Sequence, residues 1–306
     1  VRAAIDVGTN TVRLLIGDAS DGRIRPDRYF RRITRLGGGM TAGGLAADAM
    51  ERTLCALRDF AGVLAERGIE QVRGVGTEVL RRADNGREFV AHIAAETGIA
   101  LEIIDGEAEA RLTAAGVLSA LVPSPESCLI VDIGGGSTEF FLLNGGRSLL
   151  QRSYSLGVVR LAEDYGDKAS RLACIDRNLT AFRADLEMSD LFRRAACADC
   201  QLVGTAGTIT TLAALSLGMT DYDGQRVNNL RLEREYLEEM LTRLEGLSVA
   251  EREALPGMEK GRGDLIVPGL YILISLMDMI SRQRITVSDY GLLEGVLLDF
   301  PSQVAP

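Results

Sequence analysis

The chain has 306 residues, with 34 lysines and arginines against 43 aspartates and glutamates, for a formal net charge of −9. Hydrophobic residues make up 46% and charged residues 25%, a globular balance that excludes wholesale disorder. The acidic excess argues against a general nucleic-acid or membrane-surface binder, since either needs a basic face.

The first segment reads as a strand over 3–7, a Gly8-Thr9-Asn10-Thr11 turn and a second strand over 12–17. Asp21-Gly22 turns the chain into a strand over 25–34, and Gly37-Gly38-Gly39 precedes a helical stretch over 45–67. There Leu54, Leu57, Phe60, Ala61 and Leu64 fall on one side. A strand near 72–75, helices from Glu78 and Arg87, a strand over 101–104 and a helix over 106–121 follow. The segment 122–127, Val-Pro-Ser-Pro-Glu-Ser, is the best linker candidate. It sets the expected domains at 1–122 and 123–306.

Beyond it the opening pattern recurs, with a strand over 129–133, a Gly134-Gly135-Gly136-Ser137 turn, and strands over 138–143 and 147–155. In both copies an apolar strand carries Asp6 or Asp132, a glycine follows two residues later, and hydroxyl residues open the return strand, at an offset of 126 residues. Repetition on that scale means two similar α/β domains, each opening on a three-stranded meander. A strand over 201–203, the turn Gly204-Thr205-Ala206-Gly207 and a helix over 209–217 form a third small-residue turn. Gly74-Val75-Gly76-Thr77-Glu78 is its plausible counterpart in the first half.

Absences narrow the chemistry. His92 is the single histidine, which rules out a two-histidine metal motif and a Ser-His-Asp triad elsewhere; it reads as a helix residue. Five scattered cysteines point to a reducing compartment. Cys197-Ala-Asp-Cys200 has no second pair to complete a four-thiolate zinc site and reads as a chance spacing or a minor redox spot. The most apolar stretch, 265–277, contains Pro268 and is closed by Asp278, well short of the ~20 residues that span a bilayer. A cytoplasmic location and no membrane partner are expected.

Glycine-rich turns between strands expose backbone N–H groups that bind phosphate oxygens, and flanking hydroxyls add donors. An aspartate at the end of the incoming strand can hold Mg²⁺ beside the phosphate. Of the 34 basic residues only Lys168 and Lys260 are not arginine, and the planar guanidinium suits phosphate. Arg28, Arg31, Arg32 and Arg35 make the densest cluster; in a strand Arg28 and Arg32 would share a face. Hydrolysis of a phosphoanhydride also needs a carboxylate to orient and deprotonate water. Glu107 and Glu109 open the helix after Asp105, but from spacing alone acids in a first turn are better explained by the helix dipole.

Together these segments resemble the exopolyphosphatase and guanosine pentaphosphate phosphohydrolase (Ppx/GppA) family of the actin-like ATPase superfamily. The resemblance runs through Asp6–Leu14, Gly76–Ala83, Glu109–Leu112, Asp132–Glu139, Gly204–Thr208, Val267–Gly269 and Val287–Asp289. It implies an α/β protein of two ribonuclease-H-like domains with an interdomain cleft, removing a terminal phosphate from inorganic polyphosphate or from guanosine pentaphosphate with Mg²⁺ or another divalent cation. It implies Glu109 as catalytic base, Asp132 and Glu139 as acids associated with the metal, and the glycine turns as phosphate loops. The expected phosphate set is Gly8, Thr9, Asn10, Thr11, Arg13, Arg81, Gly135, Gly136, Ser137, Thr138, Gly204 and Thr205, with Asp6 added to the metal set. A homodimer is an open expectation. Gly38 stands where the family often has Glu and Leu293 where relatives often have Arg. A non-hydrolytic alarmone sensor and a phosphotransferase of the same superfamily are the competing readings. Retention of Glu109, Asp132 and Glu139 speaks against the first, and the Glu109-Ala-Arg-Leu string against the second.

Overall fold

The computed structural model describes residues 1–20 and 23–300, so the turn expected at Asp21-Gly22 lies outside the described residues. The chain divides into two compact units, Val1–Ser119 with the segment from Tyr290 onward, and Ala120–Asp289.

In the first unit, β1 (Arg2–Val7), β2 (Thr11–Ser20) and β3 (Arg23–Ile33) form an antiparallel meander. They are followed by α1 (Ala47–Glu66), β4 (Val72–Gly76), α2 (Glu78–Arg82), α3 (Gly86–Thr97), β5 (Leu101–Ile103) and α4 (Gly106–Ala120). The sheet order is β3-β2-β1-β4-β5, with β4 and β5 parallel to β1. Period-2 alternation splits β2 between two cores. Val12, Leu14 and Ile16 pack with Leu54, Leu57 and Phe60 of α1, while Leu15 joins Ala4, Val75, Ile104 and Leu112 on the other face.

The second unit runs β6 (Ser127–Ile133), β7 (Thr138–Asn144), β8 (Arg147–Tyr154), α5 (Val158–Asp164), α6 (Lys168–Met188), α7 (Phe192–Ala195) and β9 (Gln201–Thr205). It continues with α8 (Ala206–Ser216), α9 (Gly224–Val227), β10 (Arg231–Glu233), α10 (Arg234–Glu245), α11 (Val249–Glu253), α12 (Ile266–Met279) and β11 (Arg284–Val287). Its sheet, β10-β11-β9-β6-β7-β8, repeats the first order with β10 added as an antiparallel edge. This is the two-domain ribonuclease-H-like α/β architecture. Among the described residues no helix is long and apolar enough to cross a membrane. Pro268 sits in the first turn of α12, where a missing N–H costs nothing.

The duplication is visible in single hydrogen bonds. Gly8 N donates to Thr11 O and Gly134 N to Ser137 O, each at 3.0 Å, so the two meander turns close on equivalent atoms.

The last helix, α13 (Leu292–Leu298), requires a correction to the expected boundaries. The second domain stops at Asp289, because the chain over 290–300 returns to the first unit. There Leu292, Leu293, Val296 and Leu297 are buried with Ala4, Leu15 and Leu112. A Cβ on Gly295 would collide with the Leu112 carbonyl and one on Gly116 with the Gly291 carbonyl. Helices α4 and α13 therefore approach backbone to backbone. Leu293 is 1% exposed, so an apolar residue suits this position.

Two expected outcomes follow from this packing. Leu293→Ala lowers unfolding free energy by about 2–5 kcal/mol, measured by urea titration. In the second unit, the Tyr154 hydroxyl and the Arg152 guanidinium hold the Asp185 carboxyl below its ordinary value, outweighing the effect of burial. A depressed carboxyl stabilises the fold above its unfolded pKa of about 3.9, an effect lost as pH falls through the native value. The melting-temperature penalty of Asp185→Asn should therefore shrink between about pH 6 and about pH 3.

Candidate active site

In each unit the expected site residues gather at the C-terminal edge of the parallel strands, where α/β sheets bind ligands. In the first unit these are the ends of β1, β4 and β5. Asp105 starts α4 by accepting from the Ala108 amide at 2.7 Å, which fixes Glu109 one turn into the helix. Glu107 is exposed on the same turn, whereas Glu109 is 9% exposed. Arg81 Nη1 donates to Glu109 Oε2 at 2.9 Å and to the Ile104 carbonyl at 2.5 Å. Burial and an arginine partner thus separate the two glutamates that look alike in sequence. Arg81 was expected as a phosphate contact; the structure occupies it in tying the end of β5 to Glu109.

Asp6 is 2% exposed and its Oδ2 accepts from Arg13 Nε at 2.8 Å and Nη2 at 2.5 Å. Its other oxygen, Oδ1, is buried without a hydrogen-bond partner among the described residues, as is Asn10 Oδ1. Register sets Asp6 opposite Arg13, and Arg13 opposite Arg31, so the three form one row across the meander. The arginine cluster is therefore split. Arg31 shares the face of Arg13 and Asp6, while Arg28 and Arg32 lie opposite Ile16 and Val12 on the α1 face, where Arg32 reaches Asp59 at 3.9 Å.

The meander turns are held from behind. Thr9 O accepts from Gly37 N at 2.9 Å, and Asn10 O from Thr34 N and Arg35 N at 3.0 Å each. In the second unit Gly134 O accepts from Val158 N at 3.1 Å and Gly135 O from Val159 N at 2.9 Å. In a trans peptide the C=O and the following N–H point in opposite directions. Carbonyls drawn toward α5 thus turn the Gly135 and Gly136 amides away from it, forming a concavity of N–H donors. Both braces demand glycine, since a Cβ on Gly37 would strike Thr9 and one on Gly157 would strike Gly135. Neither bracing glycine was singled out from sequence for this role; both stand outside the repeated motif.

Asp132 is directly opposite Glu139 on β7, and Glu139 opposite Ser153 on β8. Glu139 is buried and accepts from Ser153 Oγ at 2.7 Å. Asp132 is half-buried at the rim. Ser137 is buried within the turn, but Thr138 departs from expectation. Its side chain is fully buried and its hydroxyl donates to the Leu156 carbonyl, which removes it from the phosphate-facing donors. The third turn lies at the start of α8, with Gly204 and Thr205 buried and Ala206 held at φ 68°. Arg262, which the sequence reading passed over, is 8% exposed with its guanidinium against Gly207, leaving no room for a Cβ there.

Among the described residues no group of three or more metal-ligating side chains is assembled. Mg²⁺ is nonetheless bound through one or two carboxylates, with water and substrate phosphate completing the shell. The adjacent pair Asp132 and Glu139 fits that requirement. Asp6 fits less well through Oδ2, which Arg13 occupies, than through its orphaned Oδ1.

The Ppx/GppA phosphatase family model matches residues 19–303. The chain belongs to this family. Members of this kind are hydrolases of phosphoanhydride bonds, and so is this chain. Exopolyphosphatase 2 of Mycobacterium tuberculosis is 35% identical over 97% of this chain and 97% of that protein. The crystal structure of an exopolyphosphatase from Cytophaga hutchinsonii aligns with TM-score 0.85 at 29% identity, covering 96% of each chain. That of the Aquifex aeolicus Ppx/GppA family member aligns with TM-score 0.75 at 31% identity, covering 97% of this chain and 95% of that one.

Arg13→Leu would leave the Asp6 carboxylate buried without its cation. We expect a loss of about 2–4 kcal/mol, at the low end for a buried pair because Arg13 is 24% exposed. Asp6→Asn in the same chain should restore part of that loss in denaturant unfolding.

Proposed function

We propose that this phosphatase is an exopolyphosphatase, releasing terminal phosphate from inorganic polyphosphate in a Mg²⁺-dependent hydrolysis. The observation that carries the reading is the buried Glu109 oriented by Arg81, because a protein that only held a phosphate chain would need no oriented base. The names of its relatives in Mycobacterium tuberculosis and Cytophaga hutchinsonii support the choice of substrate.

In this reading Glu109 takes a proton from the attacking water, and Arg81 keeps its carboxylate directed during the transfer. The Gly8–Thr11 turn in the first unit, and the Gly135, Gly136 and Gly204-Thr205 amides in the second, would each donate to phosphate oxygens. Such donors are fixed before the substrate arrives and need no reorganisation as charge moves. Arg13 and Arg31 offer cationic contacts beside the first turn. Asp132 and Glu139 of the second unit would hold the Mg²⁺. Bound there, the cation would neutralise charge on the phosphoryl oxygens and leave the phosphorus more open to attack by water.

The test is phosphate release from long-chain polyphosphate, short polyphosphate and guanosine pentaphosphate with Mg²⁺. Glu109→Gln should lower release by about 10²-fold or more with folding intact. Release only from the nucleotide would reassign the substrate, and release unchanged in the variant would remove Glu109 from the mechanism. Because the chain carries −9 overall, attraction of a polyanion rests on local cations within about 8 Å at physiological salt. KM for polyphosphate should therefore rise steeply with ionic strength.

A further inference from the structure

The proposed hydrolysis leaves the Cys197-Ala-Asp-Cys200 segment unused. We propose that Cys197 and Cys200 form a dithiol–disulfide pair that exchanges with low-molecular-weight disulfides.

The geometry begins with the backbone. Cys200 N donates to Cys197 O at 2.9 Å, closing a four-residue turn whose end Cα atoms lie within about 7 Å. Disulfides span Cα separations of about 4.4–6.8 Å, so the turn brings the two residues into bonding range. Their exposure is unequal. Cys197 is exposed, whereas Cys200 is 2% exposed, the division of an attacking and a resolving thiol.

Arg282 completes the arrangement. Its Nη2 donates to the Ala195 carbonyl at 2.9 Å and also to the Cys197 carbonyl. Its Nε is buried with no acceptor among the described residues. A buried cationic donor left unsatisfied is costly, and an anion beside it relieves that cost. Burial pushes the Cys200 thiol up, while Ser127 and the Arg282 guanidinium oppose that rise. A Cys200 thiolate is thus the species the guanidinium would favour. Cys128 lies on β6, opposite Gln201, and burial pushes its thiol up to about 12, so it stays protonated and does not compete at neutral pH.

The exchange balances in two steps. The Cys197 thiolate attacks a disulfide RSSR, forming a Cys197–SR bond and releasing one thiolate, which takes up the proton that Cys197 gave up. The Cys200 thiolate then attacks the Cys197 sulfur, breaking the bond to SR and forming Cys197–Cys200. The second thiolate leaves with the proton from Cys200. The protein is oxidised by two electrons and RSSR is reduced to two RSH. The pair sits just before β9, roughly 13 Å along the strand from the Gly204-Thr205 turn at its far end. Oxidation should therefore leave phosphate release within about twofold.

The experiment treats the full chain with oxidised glutathione, quenches by alkylation, and reads intact mass and peptide maps. Wild type is expected to carry two fewer alkyl groups than the untreated protein, with Cys197 linked to Cys200, and to regain them after excess reduced glutathione. Cys200→Ser should trap a stable glutathione adduct on Cys197, and Cys197→Ser should abolish both products. Arg282→Gln should prolong the adduct if its fold, checked by circular dichroism, is kept; if that variant unfolds, the two cysteine variants decide alone. A persistent adduct on wild-type Cys197, a Cys128–Cys200 link, or no reaction would each overturn the proposal.

Discussion

A peptide group cannot point its carbonyl and its amide the same way, and the candidate site depends on that constraint. Drawing the carbonyl side of a turn into hydrogen bonds commits the next amide to the opposite direction. The two units meet this requirement with unrelated braces. The first uses the loop amides of Thr34, Arg35 and Gly37, and the second uses the opening amides of α5 at Val158 and Val159. The turns are duplicated and their supports are not. The turn's own closure, from Gly8 to Thr11 and from Gly134 to Ser137, is therefore the element that both units keep.

Glu109 depends on longer-range construction. Its helix is started locally by Asp105, but its seating depends on α13, nearly two hundred residues later in the chain. Gly116 and Gly295 let the two helices touch carbonyl to backbone, and Leu112, Leu293 and Val296 fill the space beside them. Arg81 then adds a bond from α2 and from the end of β5. Three segments distant in sequence thus determine where one carboxylate points, which gives core substitutions in α13 a route to the chemistry.

Much of this was legible in the sequence for identifiable reasons. The meanders, α1 and the strand–turn–helix units carry strong period-2 or 3.6 patterns and glycine punctuation, and the 126-residue repeat exposed the duplication. That Arg28 and Arg32 share a face was legible from strand alternation; that Arg31 joins the row of Arg13 and Asp6 was not, because only the β2–β3 register decides it. The return of α13 was equally hidden, since an apolar helix after β11 reads the same whichever core receives it. Spacing alone did not separate Glu107 from Glu109; the family resemblance singled out Glu109, and burial and the Arg81 bond set it apart in the structure. Thr138 looked like a phosphate donor because a hydroxyl after a glycine turn usually is one, yet its partner, Leu156, lies beyond β8 and is set by tertiary packing.

The net charge then takes on a different meaning. An overall −9 opposes any polyanion at long range, but backbone amides contribute donors without contributing charge. A site built largely from turns leaves the global charge balance free to remain acidic. The arginines nearest the first turn are correspondingly few, and one of them, Arg13, is already engaged by Asp6. Arg31 stands opposite Arg13 on the neighbouring strand, and like charges directly opposite one another are destabilising. An anion held between or beside them would offset that repulsion. Asp6 offsets part of that repulsion in the free protein, and a phosphate oxygen beside the row would offset more of it, so a locally cationic row can serve an anion within an acidic chain.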